Sequence, residues 1–252
     1  MEIEILLPLI FLFVALFYSS VGFGGGSSYL AIMSIFLTDF YEIRSTALLL
    51  NITVVTIGTM MYVRHRVFDW KLFWPFIVPS IPLAYLGAQM KLSEKTFFLI
   101  LGSLLILSSL SMITKYVEDR VKMRDFELWK RLGLGGLVGF FAGISGIGGG
   151  IYLSPVLNMM NWQNARKIAS LASVFILVNS LSGLLGLLAV NTFTFDSQLT
   201  IRLIVAVFIG GMIGSYLSNK KFNTKLIGLL TATLVMYVGL RLLLLHGYGI
   251  KI

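Results

Sequence analysis

The sequence predicts an all-α integral membrane protein made of two inverted five-segment repeats, each holding a glycine-rich broken helix and a half-helix. Three observations carry that prediction. Hydrophobic residues make up 57% of the 252 and charged residues 12%, with a mean hydropathy of +0.90, which excludes a water-soluble core-and-shell protein. Apolar runs recur from end to end and fall into two sets of five about one polar linker. The pattern Gly-x-Gly-Gly-Gly occurs twice, in "SVGFGGGSSYL" (residues 20–30) and in "SGIGGGIYLSP" (residues 145–155).

The runs are continuous rather than alternating, which favours helices over a barrel of strands of about ten residues. The first covers 6–21. The chain ahead of it carries Glu2 and Glu4 where a secretory leader carries Lys or Arg, and no small-residue cleavage pattern follows, so this segment is expected to be retained. The second run, 27–37, is cut from the first by glycines, and 45–63, 72–90 and 96–114 are long enough to span. "KYVEDRVKMRDFELWKR" (115–131) is too charged for hydrocarbon and divides a first repeat, 1–114, from a second, 132–252. That second repeat holds the runs 132–145, 151–160, 168–190, 203–217 and 226–245, in the same order of lengths.

Landmarks beyond the glycines also match between the halves. Arg44 pairs with Arg166, Leu86-Gly87 with Ile213-Gly214 and Lys95 with Lys225, at offsets of 122 to 130, the mark of an internal repeat. The second run of each half has 11 or 10 residues, roughly 15 to 17 Å of helix against a hydrocarbon core of about 30 Å. Neither spans unaided. Each half thus holds five spans, or three spans and a re-entrant hairpin, and either odd count inverts the second half relative to the first. Alternating sidedness then leaves Arg44, Lys91, Lys95, Arg202, Arg241 and Lys251 on one face and the other 14 of the 20 Lys and Arg opposite. Reading each glycine region as one broken span would divide them 12 to 8, a weaker bias. The positive-inside rule therefore puts the chain in the cell membrane with both termini outside and the linker 115–131 in the cytoplasm.

Backbone without helical hydrogen bonds is tolerated at membrane depth only where protein covers it or a wet cavity meets it. The glycines therefore mark a cavity. Gly24, Gly25, Gly26 and Gly148, Gly149, Gly150 permit left-handed or extended backbone and close approach to a small ligand, after which Ser27 or Ile151 starts a new helix. Such a helix N-terminus carries unpaired N–H groups and about half a positive charge, which attracts anions without a lysine in the bilayer. Two inverted repeats bring two such ends toward one midplane point. Ser19, Ser20, Ser27, Ser28 and Ser145 can add hydroxyl donors there, and Asn51 is a further candidate. The expected partners are a small anionic substrate, membrane lipid and, as a candidate, a second copy of the chain in a homodimer. The net charge of +9 is assigned to loops facing anionic lipid, not to nucleic acid. No cofactor or metal is expected, and the absence of cysteine removes disulfides, thiolate catalysis and Cys-ligated metals.

Plainer readings stand beside these. "GLGGLVGFFAG" (133–143) has small residues at several four-residue spacings and reads as a helix-packing surface. Packing alone does not explain the shortened runs after each Gly-x-Gly-Gly-Gly. Arg44 and Arg166, at segment starts, are expected to snorkel to the interface, and Trp70, Trp74, Trp129 and Trp162 to form an interfacial belt. "GISG" (143–146) has the form seen in intramembrane serine proteases, with His246 as a conceivable base, but the predicted topology separates the two. A passive channel and an ion-coupled importer are closer rivals. All 11 acidic residues lie outside the clearly apolar runs, leaving no carboxylate for a midplane proton relay. A potential of about 100 mV, inside negative, alone drives a dianion outward by roughly 4.6 kcal/mol.

At these residues the chain resembles the sulfite exporter TauE/SafE family of membrane transporters. "GIGGGIYLSPVL" (146–157) shows the glycine-rich break with a proline a few residues on, while "GFGGGSSYLAIM" has Ala31 in the proline's place. The resemblance covers nearly the whole chain. It implies a transporter, not an enzyme, for export or permeation of small sulfur-containing anions such as sulfite, sulfoacetate or related organosulfonates.

Overall fold

The computed structural model describes residues 2–37, 39–90, 92–117, 126–219 and 224–249, and among them it holds ten helices and no strand. In the first half these are α1 (Glu2–Ser20), α2 (Gly26–Phe36), α3 (Phe40–Arg64), α4 (Trp70–Gln89) and α5 (Glu94–Val117). The second half holds α6 (Leu128–Ser145), α7 (Gly150–Met159), α8 (Ala165–Ala189), α9 (Ser197–Asn219) and α10 (Thr224–Tyr248). Among the described residues, four stretches, Phe40–Arg64, Trp70–Gln89, Ala165–Ala189 and Ser197–Leu217, are long and apolar enough to cross a membrane. Residues 118–125 of the linker, with Arg120, Lys122 and Arg124, lie outside the described residues, as do Lys91, Lys220, Lys221 and Lys251.

Three long helices, α3, α4 and α8, begin where a polar side chain satisfies a first-turn amide. Asp39 accepts from the Tyr41 amide at 2.8 Å, Asp69 from the Leu72 amide, and Asn164 from the Lys167 amide at 2.9 Å, the usual N-cap arrangement. The two short helices have no such cap of their own. At 11 and 10 residues they extend roughly 15 to 17 Å, and each follows a reversal of the chain. Phe11 stacks on Tyr29 at 4.9 Å and Tyr18 Oη lies 2.8 Å from Ser28 Oγ, so long side chains of α1 reach the first turn of α2. Gly149, the residue before α7, faces Ala142 and Val138 of α6. Beyond these contacts near the breaks, α2 packs mainly on α3 and α10, and α7 on α5 and α8.

Between halves, α1 lies along α9 in the same direction, with the Leu12 carbonyl against Gly210 and the Leu16 carbonyl against Gly214. α6 lies along α4 likewise, with Gly135 against Phe76, Gly139 against Ser80 and Gly143 against Ala84. Glycine every fourth residue lets the two backbones touch, so 133–143 is the packing surface its spacing suggests. α3 and α8 run in opposite directions, with Leu48 near Gly183 and Thr59 Oγ1 3.1 Å from Ser173 Oγ. α5 and α10 do the same, with Gly102 near Leu243 and Ser109 bonded to Met236. Each such packing relation has its counterpart: the first helix of either half meets the fourth of the other, third meets third and fifth meets fifth.

Two sequence expectations need correction. Trp162 is not at an interfacial belt: it is 0% exposed, its ring 5.0 Å from Phe76 and 6.4 Å from Phe73. The turn after α7 folds it against α4, which covers the ring. Trp70 and Trp129, by contrast, are exposed. Arg44 does not snorkel, being 3% exposed, because α3 begins at Phe40 and places it one turn inside the helix.

Candidate functional site

Both breaks use left-handed backbone to reverse the chain. α1 ends with the Phe23 amide donating to Tyr18 O at 2.9 Å and the Gly22 amide to Ser19 O at 3.1 Å, the paired bonds of a Schellman cap. α6 ends with a single bond of the same family, from the Gly146 amide to Ala142 O at 2.9 Å. The next helices then start from Gly25, at φ 88, and Gly149, at φ 80. Only glycine takes these angles without strain. α2 and α7 begin at Gly26 and Gly150, one residue ahead of the predicted starts, and Ala31 in place of a proline leaves the first half-helix the same length within a residue.

The two breaks meet. A cavity of about 10 Å³ is lined by Tyr18, Phe23, Gly24, Gly25, Gly26 and Ser27 from the first half and by Ile147, Ile151 and Ile176 from the second. That is room for about one water molecule. The walls differ in character. On the first-half side, Asn51 Oδ1 accepts from the Gly26 amide at 2.9 Å, so α3 caps α2 from across the fold, and the Asn51 Nδ2 group is fully buried with no acceptor. Tyr18 Oη joins Ser27 Oγ at 3.3 Å and Ser28 Oγ at 2.8 Å. The first-turn amides of Ser27 and Ser28 have no acceptor within the helix. In the second half Ile176 stands against Gly150 where Asn51 stands against Gly26, so that wall is apolar.

A sequence profile described as "Sulfite exporter TauE/SafE" matches residues 7–242. The chain belongs to the sulfite exporter TauE/SafE family. It is similar to a probable membrane transporter protein of Sinorhizobium fredii, y4hK, with 30% identity over 94% of this chain and 97% of the relative. The probable membrane transporter protein MJ0441 of Methanocaldococcus jannaschii is 26% identical over 96% and 97%. YunE of Bacillus subtilis, named in the same words, is 24% identical over 79% of each. No solved structure matches. This TauE/SafE chain is therefore a membrane-embedded transporter.

Within the TauE/SafE fold the residues singled out from sequence divide into three groups. Gly24, Gly25, Gly26, Ser27 and Ile151 line the cavity, with Asn51 and Ser28 directly behind it. Gly148, Gly149 and Gly150 pack against Ile176 and Ser180, against Ala142 and Phe175, and against Ile176 again. Ser20 donates to Phe17 O at 2.6 Å, Ser145 to Phe141 O at 2.7 Å and Ser19 to Gly211 O at 3.1 Å, so these hydroxyls bond to helix carbonyls. His246 stacks on Phe98 at 4.1 Å. Sequence reasoning passed over Tyr18, Phe23, Ile147 and Ile176. A signal existed for two of them: Phe23 and Ile147 are the variable positions of the two Gly-x-Gly-Gly-Gly motifs.

Proposed function

We propose that this transporter exports small sulfur-containing anions, of the class of sulfite, sulfoacetate and related organosulfonates, through a site near the membrane midplane where the two breaks face each other. The observation that carries the reading is the convergence of both breaks on one cavity, with a half-helix N-terminus on one side and the unpaired Asn51 amide behind it. Helix N-termini and amide N–H groups favour anions. At about 10 Å³ the cavity is smaller than any sulfur oxyanion, so this conformation is the closed one, and transport requires the breaks to part.

The direction of the helices supports an inverted repeat. α1 runs with α9; α9 runs with α3, as the approach of Thr46 to Thr200 and of Val54 to Gly211 implies. α3 runs against α8, α8 runs with α4 through Ser182 to Ile81 and Gly186 to Ala88, and α4 runs with α6. α1 and α6 therefore point oppositely. With the positive-inside bias this gives termini outside and the linker in the cytoplasm.

The test is flux of labelled sulfite and sulfoacetate from liposomes reconstituted with the protein. Efflux should follow a clamped potential and persist when a pH gradient is collapsed at fixed potential. Strict dependence on the pH gradient would instead mark an ion-coupled importer, and no flux of either anion would overturn the reading.

A further inference from the structure

Arg44 is a cation buried inside the fold with no anion beside it. Among the described residues no carboxylate comes within ion-pair distance of it. Its Nη2 donates to Gly143 O at 2.6 Å, in the last turn of α6, and its guanidinium carbon lies 5.7 Å from the centre of the Phe97 ring. Its Nε–H is buried without an acceptor. A helix carbonyl end carries only a partial negative charge, and a ring face only the negative side of a quadrupole with no net charge. Such a side chain, inside a membrane protein, is one anion short.

Its position connects it to both breaks. Arg44 and Asn51 are seven residues apart on α3, two helical turns, so they share a face about 10 Å apart along the axis. Asn51 holds Gly26 at the first break. Arg44 reaches the second: a side chain added at Gly146, the left-handed residue at φ 67 that ends α6, would meet Arg44 Cγ at 2.9 Å. One face of α3 thus touches both gaps, with a neutral amide at one level and a cation at the other. A guanidinium fork matches the spacing of two oxygens on an oxyanion better than any other side chain.

We propose that Arg44 is a second anion-binding station, separate from the cavity, which takes a sulfur oxyanion side-on through its Nε–H and a neighbouring Nη–H. The proposal rests on the anion-transport reading above. Calorimetry with sulfite on the detergent-solubilised full-length chain tests it, comparing the parent with Arg44→Gln, Arg44→Lys and, as a control, Arg64→Gln at the exposed far end of α3. Arg44→Gln should weaken one of the parent's two sulfite-binding events at least tenfold and leave the other, at the cavity, unchanged. Arg44→Lys, which keeps the charge but loses the fork, should weaken that same event three- to tenfold, and Arg64→Gln should stay within twofold. If Arg44→Gln does not fold, the Lys variant decides. Arg44 variants that bind within twofold of the parent and merely melt earlier would make the residue a structural pin and overturn the station alone. A parent that binds neither sulfite nor sulfoacetate would bring down the station and the transport reading together.

Discussion

Gly25 and Gly149 stand at φ 88 and 80, a region that costs an L residue about 1–2 kcal/mol and a β-branched one more. A side chain at Gly25 would also strike the Tyr29 ring at 2.8 Å, and one at Gly149 the Ala142 methyl at 2.7 Å. Gly25→Val and Gly149→Val should therefore leave assembled protein that has lost the sulfite-binding event at the cavity and keeps the one at Arg44; two events of parent-like affinity in calorimetry would return the glycines to a packing role. Asn51→Asp is sharper, because it keeps the acceptor for the Gly26 amide and replaces the unpaired Nδ2 by a second oxygen. At neutral pH it should weaken sulfite binding at the cavity at least tenfold and, because an unpaired carboxylate is costly to bury at this fully enclosed position, also lower the melting temperature; unchanged affinity would remove Asn51 from the site. These positions were legible because glycine and asparagine are conspicuous inside apolar runs. Arg44 was not legible as a buried group: the apolar run starts at Ser45, and only the cap at Asp39 reveals that the helix starts earlier. Nor was Ile176, because an isoleucine in an apolar helix announces nothing about which cavity it meets.

At the scale of the helix, α6 separates packing glycines from idle ones. Gly139 sits against Ser80, whose Cα would lie 2.5 Å from an added methyl, whereas nothing stands within 4 Å of Gly133. Gly139→Ala should push α6 off α4 and lower stability by about 1–3 kcal/mol, the usual cost of overpacking. Gly133→Ala should be neutral or stabilising by up to about 1 kcal/mol, the helix-propensity difference. Thermal melts of the two variants in one detergent check both, and equal melting temperatures would mean that the α4–α6 contact is loose. The sequence revealed the two half-helices through their length alone, since 10 or 11 residues cannot cross the bilayer. It did not reveal that α3 caps α2 while nothing equivalent caps α7. That asymmetry arises from residues far from either motif, in helices whose register against the breaks is set by packing.

For the whole molecule, the proposed sidedness has a direct check, because the chain contains no cysteine and any introduced one is the sole target. His65→Cys, between α3 and α4, should react with impermeant thiol reagents from the cytoplasmic side only, and Gln198→Cys, at the start of α9, from the outside only. Labelling of both from one face would contradict the inverted arrangement. The pairing of α1 with α9 also bears on how such a chain is made. Leu12 and Gly210 touch across 198 positions of sequence, and a ribosome adding about 5–20 residues per second needs roughly 10 to 40 seconds to cover them. Throughout that interval the side of α1 destined for α9 faces lipid or the insertion machinery, holding open the place of a neighbour that has not yet been translated. α1 lies on α9 and α6 on α4, so each half's first helix is covered by the other half, and the packing around α1 is completed only once α9 has been made.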